Sequence, residues 1–183
     1  YHIEDIVGVA WGTKKKIYLT NNDNIFENEA FQAWLFDPAK KKKVYDAKRT
    51  EVALSRYIGR PQGLCYDVLL AAYLLDTNDH SNDIAGVAEH YGYTDIQSDD
   101  VVYGRGAKKG LPEDVESFFA HLARKIKAID WLTDKLQEEL ELKGHAALFD
   151  EMEFPLSGIL AAMEITGILV DSVSYQHLQL PTI

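Results

Sequence analysis

The chain has 183 residues, 46% hydrophobic and 26% charged, with a formal net charge of −10. Such a composition builds a soluble globular core, and its acidity excludes a surface that is basic throughout, leaving only local patches for nucleic acid. The single cysteine, Cys65, excludes an internal disulfide framework and fits a reducing compartment, and no apolar run reaches the ~18 residues that a membrane span needs.

The first elements read as a strand pair. IVGVAWG (6–12) alternates Val7, Val9 and Trp11 with small residues, KKIYLTN (15–21) follows, and Gly12-Thr13-Lys14 supplies the turn. ENEAFQAWLFD (27–37) spaces Phe31, Trp34 and Leu35 as a short helix that stops near Pro38. Lys40 to Lys43 read as a solvated approach to a short strand, KKKVY. DAKRTEVALSRYIG (46–59) places Ala47, Leu54, Tyr57 and Ile58 on one helical stripe, with Gly59 where a left-handed cap belongs. A strand, GLCY (63–66), then feeds the helix DVLLAAYLLD (67–76), whose first amides Asp67 is able to cap. Cys65, inside that apolar run, reads as a buried inert thiol.

SNDIAGVAEHYGY (81–93) reads as a small helix capped by Ser81 or Asn82 and stopped at Gly92. SDDVVYGRGAKKGLP (98–112) reads as a glycine- and lysine-rich loop, with Pro112 in the first turn of a long helix over 113–142. The apolar stripe of that helix is Val115, Phe118, Phe119, Leu122, Ile126, Ile129, Leu136 and Leu140, and Lys143-Gly144 ends it. Beyond it come a break at Pro155, a helix ending at Gly167 and a short strand, ILVD. The order predicts an α/β fold: a mixed sheet flanked by helices, with a helical C-terminal extension.

Local motifs carry little chemistry on their own. GRG at 104–106 lacks the third glycine of a dinucleotide fingerprint. The six histidines show no i, i+4 pair, and Cys65 has no partner cysteine for zinc. A Gly-x-Ser-x-Gly elbow is absent. Lys40–Lys43 and Lys108-Lys109 are the candidate phosphate contacts, and a DNA-binding module built on them is one functional reading.

GLCYDVLLAAYLLD, VVYGRGAKKGLP and EFPLSGILAAMEITGILVD together resemble the large fragment of bacterial DNA polymerase I, most closely its Gram-positive, bacillus-like members. The resemblance covers nearly the whole chain. It implies a ribonuclease-H-like 3′–5′ exonuclease domain over 1–150 and the start of the polymerase domain over 151–183. It also implies that the first strand of the domain lies upstream of Tyr1. The tail VDSVSYQHLQLPTI reads as two joined pieces, with residues missing between 174 and 178.

In proofreading members of that family, four carboxylates converge on two divalent metals that activate water and stabilise the leaving oxygen. Carried over by position, the aspartate of the second acidic motif falls on Thr50. The Tyr and Asp positions of the third fall on His121 and Lys125. Thr50 is a poor ligand for a hard cation. Lys125 opposes one, by ~4 kcal/mol per unit of metal charge at ~4 Å and an effective dielectric near 20. The expectation is a vestigial exonuclease with no catalytic or metal residues, no cofactor of its own, and a structural role. Its partners would be the polymerase domain of the same cytoplasmic chain and, through the parent, DNA. Mg²⁺ would serve the parent's nucleotidyltransferase. The alternative is an active metal-dependent nuclease with relocated carboxylates, Asp46 or Asp67.

Overall fold

The computed structural model describes residues 5–78, 81, 83–106 and 109–167. The expected strand ILVD, the joined tail at 174–178, Asn82 and Lys108 lie outside them.

Strands β1 (Val9–Thr13) and β2 (Lys16–Thr20) pair antiparallel, Val9 opposite Thr20 and Thr13 opposite Lys16. The turn is therefore Lys14-Lys15, and Gly12 lies inside the strand rather than in the turn. A Cβ on Gly12 would come within 2.3 Å of the Lys16 carbonyl oxygen. A 3-10 turn over Asp23–Glu27 leads into α1 (Glu29–Leu35), which Asn28 caps by accepting from the Phe31 amide. Strand β3 (Lys42–Val44) pairs parallel with β4 (Leu64–Asp67), across the intervening α2 (Ala47–Ser55). Among the described residues the mixed strand set thus forms two small ladders, one antiparallel and one parallel.

Helices α3 (Val68–Leu75) and α4 (Ile84–His90) follow. The cap of α4 is Asp83, which accepts from the Gly86 amide at 3.0 Å, not Ser81 or Asn82. The stretch expected to be a loop contains a helical turn, α5 (Asp99–Tyr103), closed by Gly104 at φ 79°. Pro112 precedes the long helix rather than entering it: α6 (Val115–Leu142) starts after Asp114, whose carboxylate takes the amides of Glu116 and Ser117. Pro155 does not break the chain either. A short helix α7 (Ala146–Leu148) runs through a π-helical stretch, Phe149–Glu153, into α8 (Phe154–Thr166), where a proline in the first turn needs no amide partner.

Helix α6 organises the body because two of its faces are used. Ala128, Leu132, Leu136 and Leu140, four residues apart, are each 0% exposed and pack with Val68, Ala72, Val87 and Phe149. Each buried leucine contributes ~2 kcal/mol. Ala128 and Leu132 stood outside the expected stripe, whereas Val115, inside it, is exposed. Around the helix, Phe118 and Leu122 meet β1 near Gly8. A second core of Phe26, Phe31 and Leu35 gathers Val9, Trp11, Trp34 and Leu54. A cleft of about 1130 Å³, lined by Val9, Trp11, Trp34, Thr50, Leu54 and Ile129 among others, runs between β1 and β3 under α6. Helix α8 leans on α2 through Lys48–Glu164 at 2.7 Å and through Arg60, which donates to the Gly158 carbonyl at 3.0 Å.

Candidate active site

The positions singled out in the sequence fall in two places. Thr50 stands one turn into α2 and lines the cleft. Its hydroxyl donates to the Asp46 carbonyl at 2.6 Å, so its one proton is spent within its own helix. Asp46 caps the same helix, accepting from the Arg49 amide at 2.9 Å. Asp67 caps twice, accepting from Leu70 at 3.1 Å and from Ala47 at 2.8 Å. Both carboxylates considered as substitute metal ligands therefore already hold helix termini. Burial pushes the Asp67 carboxyl up to about 6, against the three amides, of Ala47, Leu70 and Leu69, that favour its charged form.

His121 and Lys125 stand four residues apart on one side of α6, where successive turns face the same way. Both are bound to a residue that sequence reasoning missed, Asp99. The His121 Nε2 donates to Asp99 Oδ1 at 2.8 Å. The Lys125 ammonium lies 2.6 Å from Oδ1 and 2.8 Å from Oδ2. The Tyr103 ring covers both, 5.6 Å from the ammonium and edge-on to the imidazole at 5.3 Å. His121 is 1% exposed, and among the described residues its Nδ1 has no hydrogen-bond partner. Burial raises the Asp99 carboxyl, but the bonds from His121 and Lys125 and the lysine's charge outweigh it, and the net direction is down. Asp99 is thus an anion already neutralised by a fixed cation. The local signal for it was Ser98-Asp99-Asp100, a helix-start pattern hidden in a glycine-rich stretch.

The donor set does not fit a divalent metal. A neutral hydroxyl bonded to a carbonyl stands at one position and an ammonium at the other, while hard cations require converging carboxylate oxygens. Among the described residues no group of three or more His, Cys, Asp or Glu is placed to hold a metal.

The lysine run behaves differently from a solvated lead-in. Lys42 is buried, 6% exposed, and its ammonium donates to the carbonyls of Asp37, Lys40 and Gln62 at 2.7 to 3.1 Å. It also lies 5.0 Å from the Trp34 ring centroid. Lys43 meets Asp130 and Asp134 on α6, each at 3.6 Å. Only Lys40 and Lys41 of the four remain to face a phosphate. Cys65 is half-buried rather than fully buried.

The family described as DNA polymerase I, ribonuclease H-like domain, matches residues 1–132. DNA polymerase I of Geobacillus stearothermophilus is 40% identical over 172 residues, covering 94% of this chain and 20% of that protein. DNA polymerase I of Bacillus subtilis is 42% identical over 172 residues, 93% of this chain and 19% of that protein. The chain thus spans about a fifth of the length of the curated relatives it matches. Among solved structures, the POL domain of Pol1 from M. smegmatis, in complex with DNA primer-template and dNTP, superposes with a TM-score of 0.76 at 25% identity. It covers 96% of this chain and 28% of that one.

Proposed function

We propose, from the premise that this chain belongs to the ribonuclease H-like domain family of DNA polymerase I, that it is a nuclease domain that has lost its metal chemistry and serves as a scaffold. The parent protein performs template-directed nucleotide addition on DNA with Mg²⁺ in the cytoplasm. This domain, residues 1–150, supports the polymerase portion that begins over 151–183. No helix among the described residues is long and apolar enough to cross a membrane.

The observation that carries the proposal is the Lys125 ammonium held 2.6 Å from Asp99. A positive charge is seated where the family's third acidic motif would place a carboxylate. Thr50, at the second motif, supports it, because neither side chain offers the anionic oxygen that a metal-bound water requires. The engagement of Asp46 and Asp67 as caps argues against relocation of the site onto them.

The test is to incubate the chain with 3′-labelled single-stranded DNA and Mg²⁺ or Mn²⁺. No metal-dependent release of 3′ nucleotides is expected. Release by a nuclease-free preparation that also survives Asp46→Ala and Asp67→Asn overturns the loss of activity. Release abolished by either substitution favours the relocated site.

A further inference from the structure

Helix α5 has five residues and none is buried, and Ser98 before it makes no side-chain cap bond. Its apolar packing is slight, the Tyr103 ring against Phe118 at 6.4 Å between centres. Most of what fastens it is polar. The Asp83 carboxylate, already capping α4, accepts the Asp99 amide at 2.6 Å and so sets the start of α5. The Asp99 side chain reaches the other way, to His121 and Lys125 on α6. Tyr103, at the far end of α5, lays its ring against both. The Gly110 amide then returns to the Tyr103 carbonyl at 2.8 Å. If α5 lifted, the imidazole of His121 would lose its hydrogen-bond partner and the ring that covers it. Lys125, 24% exposed, would lose the carboxylate that neutralises it. Leaving such groups unpaired is costly.

We propose that Asp99, His121 and Lys125 form a charge latch that clamps α5 over this face of α6, shielding the face from a nucleic acid strand. Lys125 acts as a built-in cation where a bound one would be exchangeable, so the segment stays closed without metal. The shielding half rests on the family reading, which identifies this face. The latch itself rests on the contacts alone.

Hydrogen exchange of the 183-residue chain tests the latch. In Asp99→Asn and in Lys125→Met, amides 100–104 should exchange about tenfold faster or more, the consequence of losing a charge-assisted hydrogen bond. Trypsin should cut sooner after Arg105 and Lys109. Lys125→Arg should retain the protection, and Lys135→Met, an ion-pair loss elsewhere on α6, should leave it unchanged. Unchanged exchange in both latch variants, with α6 still folded by circular dichroism, overturns the latch.

A fluorescent oligothymidylate at low salt tests the shielding. Asp99→Asn should bind it roughly threefold or more tighter than Asp23→Asn, which removes the same charge from an exposed position, because Lys125 and the face beneath are then free to meet phosphate. Equal binding by the two variants overturns the shielding. Nuclease activity of the unaltered chain would overturn the proposed loss of function, and it would leave the exchange result standing or falling by itself.

Discussion

The carboxylate of Asp67, at the end of β4, accepts the backbone amide of Ala47, at the start of α2, at 2.8 Å across 20 residues of sequence. Its other oxygen accepts from Leu70. One side chain, 4% exposed, thus sets two helix starts and the register between β3 and β4 beneath them. Replacing it by alanine removes both caps and leaves the Ala47 amide buried without a partner. The expected cost is ~2–4 kcal/mol, read as a lowered denaturation midpoint. Asparagine keeps one acceptor and should cost less.

Asp67 also gives stability a pH signature. Its carboxyl sits at about 6 in the fold against 3.8 in the unfolded chain. The folded state therefore holds the proton more tightly. The contribution is fully present below the unfolded value and is lost as pH rises through the folded one. A rise of that size corresponds to about 3 kcal/mol at most. Urea midpoints of the parent chain minus those of Asp67→Asn should fall between pH 4 and pH 7 and then level off. Subtracting the variant removes the opposite slopes of Asp99, Asp114 and Asp134, whose carboxyls are lowered. A flat difference would show that Asp67 is ionised throughout.

Lys42 is the second buried charge with an identifiable structural task. Three carbonyls converge on its ammonium and Trp34 covers it. Lys42→Met would take one bond from each at the turn joining α1 to β3, leaving the Asp37 carbonyl only the Lys40 amide, and a loss of ~2–4 kcal/mol is expected. Lys41→Met, one residue away on the exposed side, should stay within about 0.5 kcal/mol. Equal effects in thermal melts would mean that the burial of Lys42 carries no special weight.

These two residues mark what sequence could and could not show. Helix starts were legible at Asp67 because a capping carboxylate before an apolar run is a local signal. The period of α6 was legible, but not the choice among its faces. Ala128 and Leu132 are buried because α3 and α4 lie there, which depends on tertiary arrangement. Lys42 was hidden in a run of lysines whose fate depends on the carbonyl of Gln62, 20 residues on. At the candidate site, Thr50, His121 and Lys125 were found through family resemblance alone. Asp99 was missed because its partners lie 22 and 26 residues further along the chain, beyond any local pattern.

Asp46 separates a cap from a ligand. Its carboxylate accepts the Arg49 amide, and its carbonyl accepts from Thr50. As a cap, Asp46→Ala should cost ~1 kcal/mol and Asp46→Asn only a few tenths, with no change in heat on titration with Mn²⁺. A metal ligand would reverse the pattern: both substitutions would abolish a binding isotherm present in the unaltered chain.

Gly8 fixes how closely the strand pair approaches α6. A Cβ built there would lie 2.6 and 2.9 Å from two ring atoms of Phe118, and 3.3 Å from a Leu122 methyl. Phe118 is 4% exposed and packs between Tyr103 and Phe119, at 6.4 and 5.6 Å between ring centres, so its ring has little room to turn away. Gly8→Ala should therefore push β1 off the helix and cost ~1–3 kcal/mol, as overpacking does. Phe118→Leu alone should cost a similar amount by leaving a cavity. In the double variant the smaller side chain vacates the space that the new methyl needs, and the two losses should fall short of their sum by ~1 kcal/mol or more. Strict additivity in chemical denaturation would mean that the contact gives way elsewhere, through backbone movement of the strand pair.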